Sequence, residues 1–132
     1  MKEKRYTYKD YCTWNDSKRY ELIDGIAYVM AAPTLRHQEI CGRMCNRISS
    51  YLEGKHCKVF ASPIDVRLNF HKEDDTVVQP DIIVVCDFDK LSDGKAVKGA
   101  PDFIIEILSP ATSKKDRVFK RRKYEQAGVK EF

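Results

Sequence analysis

Two stretches of this chain are apolar on both faces. Residues 76–87, TVVQPDIIVVCD, and residues 102–109, DFIIEILS, carry runs of consecutive Val and Ile instead of alternating them with polar residues. A strand of that kind is stable only where both faces are covered, so both are expected to be central strands. At 132 residues, 42% hydrophobic and 33% charged, the chain can build one such core but not two domains, and a single domain over 1–132 is expected. The longest uninterrupted apolar runs, IAYVMAA at 26–32 and IIVVC at 82–86, fall far short of the ~18 residues of a membrane helix. The opening MKEKRYTYKDY has no apolar stretch behind it to act as a secretory signal, so a cytoplasmic protein without membrane association is expected. Cys12, Cys41, Cys45, Cys57 and Cys86 make an odd number with no Cys-x-x-Cys pair, and are read as reduced thiols.

The remaining elements follow from periodicity and turn residues. Residues 8–14 suit a short helix under Trp14. RYELIDG and IAYVMAAP read as two strands of a hairpin joined at Asp24-Gly25. From Thr34, a plausible cap, Ile40, Cys41, Met44, Cys45, Ile48, Tyr51 and Leu52 recur at helical spacing, with Gly54 just past the end. KVFASPIDVRLNF, residues 58–70, alternates and reads as one half-buried strand, with Ile64, Val66, Leu68 and Phe70 opposite Asp65, Arg67 and Asn69. DFDKLSDGKAVKGAP is a turn-rich loop, and a last helix runs from a cap at Thr112 or Ser113 to Gly128.

Charge is concentrated on that last helix. KKDRVFKRRK, residues 114–123, has a net charge of +6, leaving −2 for the other 122 residues. A slightly acidic body with one basic patch, including Lys114, Lys115, Arg117, Arg121 and Arg122, is the footprint of a surface that meets phosphate; an ordinary solvated helix face has the same composition.

Two acids stand where acids are costly. Glu106 shares its strand face with Ile104 and Leu108, and Asp81 lies between Pro80 and Ile82. An unpaired carboxylate in such surroundings costs several kcal/mol, so each needs a cation, a metal or a proton. A salt bridge or a strand-end position accounts for either acid alone. Two of them on central strands suggest a shared hard cation, Mg2+ or Mn2+, which is commonly held by one or two carboxylates and a substrate phosphate. The chemistry this serves is phosphoester hydrolysis, with a lysine positioning the water and offsetting developing charge. Asp116, Lys120, Tyr124 and Gly128 form one stripe of the last helix, so Lys120 can project toward the strand ends. His37, Cys41 and Cys45 also share a stripe, but Met44 and Ile48 beside them make core packing the better reading.

The ordered motifs YELIDG (20–25), APTLRHQEI (32–40), SPIDVRL (62–68), VVQPDIIVV (77–85), GAPDFIIEILSP (99–110) and KYEQAGVKEF (123–132) resemble the Uma family of predicted endonucleases, a branch of the PD-(D/E)XK nuclease superfamily, over nearly the whole chain. The resemblance implies an α/β (α+β) fold with a restriction-endonuclease-like core, a mixed central sheet flanked by helices, to which the N-terminal hairpin is added. It implies that Asp81 is the motif aspartate and Glu106 the motif acid, that Glu21 is a further acid near the metal, and that His37 matches a recurrent histidine. Leu108 stands where the superfamily places its lysine, two residues after the acid. In the Uma branch a lysine of the following helix replaces it, and Lys120 matches, with Lys114, Lys115 and Lys123 close by.

The resulting expectation is a metal-dependent nuclease acting on DNA, with Asp81 and Glu106 on the metal, Lys120 at the attacking water and the basic helix on the backbone. The rivals are a nucleic-acid-binding or regulatory module without turnover, and a phosphodiesterase acting on RNA or a nucleotide. AGVKEF reads as the entrance to another strand, so a domain truncated at its C-terminus is expected, forming a homodimer or associating edge to edge.

Overall fold

The hairpin turn shows how local chemistry sets the first third of the fold. In the computed structural model, which describes residues 4–109 and 114–132 and only the backbone of 114–116, β1 (Tyr20–Ile23) and β2 (Ile26–Val29) pair antiparallel. Asp24 and Gly25 between them have φ of 50° and 80°, the double positive φ that a two-residue hairpin turn requires. A Cβ on Gly25 would meet Arg5 Cβ at 2.8 Å, so the position demands glycine for space as well as for conformation. Ahead of the hairpin, the expected short helix is one turn, α1 (Tyr8–Tyr11).

Helix α2 (Leu35–Leu52) is capped by Thr34, whose hydroxyl accepts from the His37 amide at 3.1 Å. It lays Cys41, Met44, Cys45, Ile48 and Leu52, all half-buried, over β3 (Lys58–Ala61). Ile40 and Tyr51, expected on the same stripe, are 36% and 69% exposed. The contact face is therefore narrower than the periodicity suggests.

Residues 58–70 and 76–87, each expected to be one strand, differ from expectation. Each is divided into two strands, β3 and β4 (Val66–Arg67) from the first, β5 (Val77–Val78) and β6 (Ile82–Val85) from the second. The runs pair with one another throughout, β3 with β6 and β4 with β5, but residues 62–65 face residues 79–81, so one extra residue bends the ribbon. The bend falls at Pro63, after a cis Ser62–Pro63 peptide, and at Pro80. Neither proline has an N–H to continue a ladder. As a result β5 and β4 sit in a five-stranded sheet of order β2-β1-β5-β4-β7, in which β7 is Val97–Lys98, whereas β3 and β6 sit in a three-stranded sheet closed by β8 (Phe103–Ile105). The loop expected at 87–101 contains a 3-10 turn at Phe88–Leu91 and β7 (Val97–Lys98), which runs parallel to β4 and makes the larger sheet mixed.

Helix α3 (Lys114–Ala127) ends at Gly128, φ 88°, where the Val129 amide returns to the Tyr124 carbonyl at 3.1 Å. Its cap, expected at Thr112 or Ser113, lies outside the described residues. Tyr124 and Val129, 2% and 7% exposed, join Ile23, Val66, Val78, Ile83, Val85 and Ile104 in the core. Glu131 then makes a single parallel bridge to Phe103. The expected fold class, a mixed α+β arrangement with helices and an N-terminal hairpin, is the one observed.

One cysteine expectation is corrected. Cys57 and Cys86 form a disulfide, with Cα atoms 4.2 Å apart, and only Cys12, Cys41 and Cys45 are free. The cause is register: Lys58 pairs with Val85, so the next residues outward, Cys57 and Cys86, face each other. No helix among the described residues is long and apolar enough to cross a membrane.

Candidate active site

The antiparallel ladder between β6 and β8 ends on the pair Ile82 and Ile105. One step further, Asp81 faces Glu106. Directly opposed residues leave the same sheet face with Cβ atoms about 4.5–5.5 Å apart, so the two costly acids are neighbours. The ladder stops there because Asp81 Oδ2 takes the Ile107 amide at 2.7 Å, replacing a backbone acceptor with a carboxylate. Asp81 Oδ1 is 3.2 Å from His37 Nε2, and the Asp81 carbonyl accepts from the Ser62 amide at 2.9 Å. The α2 histidine thus pairs with Asp81.

Lys120 projects from α3 between two carboxylates. Its Nζ is 2.9 Å from Glu106 Oε1 and 3.0 Å from Glu21 Oε2, and the Tyr124 hydroxyl, one turn on, donates to Glu106 Oε1 at 2.6 Å. Glu21 Oε2 also accepts from the Gln79 amide at 2.8 Å. Two carboxylates around one ammonium leave a deficit of positive charge, and both sides of the pair respond. Burial pushes the Glu106 carboxyl up, against the pull of Lys120 and Tyr124. Burial alone would lower Lys120, but Glu106 and Glu21 outweigh it and hold the ammonium above its ordinary value. Burial and Glu106 together keep the Tyr124 phenol protonated.

Behind Glu21 lies a half-buried polar network. The Gln79 side chain accepts from Arg19 Nε at 2.9 Å and donates to Tyr11 Oη at 2.8 Å and Asp65 Oδ1 at 3.0 Å. Arg19 also donates to Ser62 Oγ at 2.9 Å. Gln79 therefore ties the β1 acid to the bend in the ribbon through its backbone and to Asp65 through its side chain.

Glu21, Asp81, Glu106, His37 and Lys120 line one cleft of about 1310 Å³, which Arg117 and Arg121 also line. Arg122 is exposed and does not line the cleft, and Lys123 pairs with Asp24 at the hairpin turn, 2.6 Å away. The side chains of Lys114 and Lys115 lie outside the described residues. Among the described residues no three His, Cys, Asp or Glu side chains are gathered in a way that would hold a metal ion. The donor set at Asp81 and Glu106, two hard carboxylates on facing strand ends in an open cleft, nevertheless fits a cation that needs only one or two protein carboxylates. Each of the three acids is also held by the protein: Asp81 Oδ1 by His37 and Oδ2 by the Ile107 amide, Glu106 Oε1 by Lys120 and Tyr124, and Glu21 Oε2 by Lys120 and the Gln79 amide.

Sequence reasoning missed Tyr124 and Gln79. The stripe shared with Lys120 was the available signal for Tyr124. Nothing local marks Gln79, whose partners come from residues as distant as Tyr11 and Glu21.

Comparison with known proteins adds three findings. Residues 6–132 match the Uma2 family, described as "Putative restriction endonuclease". The chain is 28% identical over 120 residues to an uncharacterized protein, slr1290, of Synechocystis sp., covering 88% of this chain and 60% of the relative's length. The crystal structure of "a putative nuclease belonging to DUF820" from Anabaena variabilis has a similar fold, with a TM-score of 0.74, 20% identity, and coverage of 94% of this chain and 70% of that one.

Proposed function

The chain belongs to the Uma2 family, and from that premise we propose that it is a metal-dependent endonuclease hydrolysing phosphodiester bonds of DNA. The observation that carries the reading is the pairing of Asp81 with Glu106 at facing strand ends, with the Lys120 ammonium 2.9 Å from Glu106 in the same cleft.

Asp81 and Glu106 are the residues that would hold Mg2+ or Mn2+, and the ion when bound supplies Lewis-acid polarisation of the phosphate and a more acidic water. Lys120 donates hydrogen bonds to a water or phosphoryl oxygen at the metal-binding acids and offsets negative charge there. Glu21 and Tyr124 hold the lysine and Glu106 in place from opposite sides, and His37 orients Asp81. Arg117 and Arg121, exposed along the cleft, meet the flanking phosphates.

Cleavage of plasmid, single-stranded DNA and RNA, each with Mn2+, Mg2+ or EDTA, tests this reading. DNA cleavage that needs the metal and is lost in Asp81→Asn and Glu106→Gln is expected. Binding without cleavage would instead identify a catalytically silent module, and cleavage confined to RNA would reassign the substrate.

A further inference from the structure

Glu21 and Tyr28 are paired residues of the hairpin, so their side chains leave the same face. The acid is 8% exposed and held by Lys120, whereas the tyrosine beside it is 44% exposed and lines the cleft. No ring or cation is stacked on Tyr28 among the described residues. From α3, Phe119, 36% exposed and adjacent in sequence to Lys120, lines the same cleft, with the Lys123 ammonium 5.7 Å from its ring.

Such aromatic walls suit a particular form of nucleic acid. In a B-form duplex the base faces are hidden in the stack, so a protein meets phosphates, sugars and groove edges and an aromatic ring finds no base face to stack on. An unpaired base offers its π face, and grooves that take single strands combine cations for the backbone with aromatic rings for the bases. Arg117, Lys120 and Arg121 supply the cations here.

We propose that this cleft takes single-stranded DNA, with unpaired bases stacked on Tyr28 and Phe119 beside the phosphate that faces Asp81 and Glu106. The inference rests on the nuclease reading for the placement of that phosphate and adds the form of the substrate. It makes Tyr28 and Phe119 determinants of strand preference, acting through binding.

The test is fluorescence anisotropy in EDTA, where nothing is cleaved, with a single-stranded oligonucleotide and its matching duplex, each carrying 2-aminopurine as a stacking reporter. The single strand is expected to bind more tightly and to lose 2-aminopurine fluorescence on binding. Tyr28→Ala and Phe119→Ala should each weaken single-strand binding by about ten-fold or more and leave duplex binding unchanged, whereas Tyr28→Phe, which keeps the π face, should retain it. Circular dichroism melts check that the variants fold. Equal or tighter binding of the duplex, equal losses on both substrates, or no binding of either would overturn the inference. So would a fall in solution mass in Tyr28→Ala, which would make the aromatic wall an interface between copies of the chain. Cleavage of the same single strand with Mn2+ is measured separately. If none occurs while Tyr28-dependent stacking persists, the nuclease reading fails and the single-strand assignment stands.

Discussion

The Tyr124 hydroxyl donates to the same Glu106 oxygen that the Lys120 ammonium approaches, at 2.6 Å and 2.9 Å. Both donors come from one face of α3, so a single helix carries the basic surface, the candidate catalytic lysine and the group that fixes the acid opposite it. Tyr124→Phe keeps the buried ring and removes only this bond. It is expected to cost about 1.5–3 kcal/mol in chemical denaturation, as for a hydrogen bond to a charged acceptor, and to lower the cleavage rate without changing DNA affinity.

Lys120→Met leaves Glu21 and Glu106 facing each other without a cation. Because all three side chains retain some access to water, 19%, 11% and 30% exposed, the expected loss of stability lies toward the low end of the roughly 3–5 kcal/mol seen for buried pairs. Cleavage should fall at least about 100-fold. Adding Glu21→Gln to the same variant should recover part of the stability but none of the activity, which separates the structural role of the lysine from the catalytic one.

How far the sequence disclosed this arrangement depends on the range over which each signal acts. Asp24-Gly25, the α2 periodicity and the Gly128 stop are local and were legible. Asp81 and Glu106 were legible for another reason: a carboxylate among Val and Ile is costly wherever the strands go, so the pattern itself demands a partner. The bends at Pro63 and Pro80 were not recognised, because an alternating pattern continues past Pro63 and consecutive Val and Ile stand on both sides of Pro80, which hides the interruptions. The Cys57–Cys86 bridge and the Gln79 contacts depend on register between distant segments, which neither cysteine parity nor local pattern encodes.

The disulfide has its own test. Under denaturing, non-reducing conditions three thiols should react, and five after reduction. Reduction opens a link spanning 29 residues and is expected to cost about 2–4 kcal/mol. Five reactive thiols before reduction would remove the bridge from the account.

Asp102 provides an acid-sensitivity prediction. Burial disfavours its charge, but the Cys86 amide at 2.8 Å and Lys130 at 3.3 Å outweigh this and hold the carboxyl below its ordinary value. The sign follows from a folded-state pKa lower than the unfolded one: the contribution is present above the unfolded value, about 3.9, and is lost as pH falls through the folded value. Asp102→Asn should therefore lower Tm at pH 7, with the difference from the original chain shrinking as the pH drops below about 4.

The central claim is that Asp81 and Glu106 together hold one cation. Titration of the metal-free protein with Mn2+, followed by the electron paramagnetic resonance signal of the free ion, measures this without reference to any substrate. The account predicts one site in the original chain, its loss in both Asp81→Asn and Glu106→Gln, and its retention in Glu21→Gln. Equal Mn2+ binding by the original chain and both single variants would contradict it.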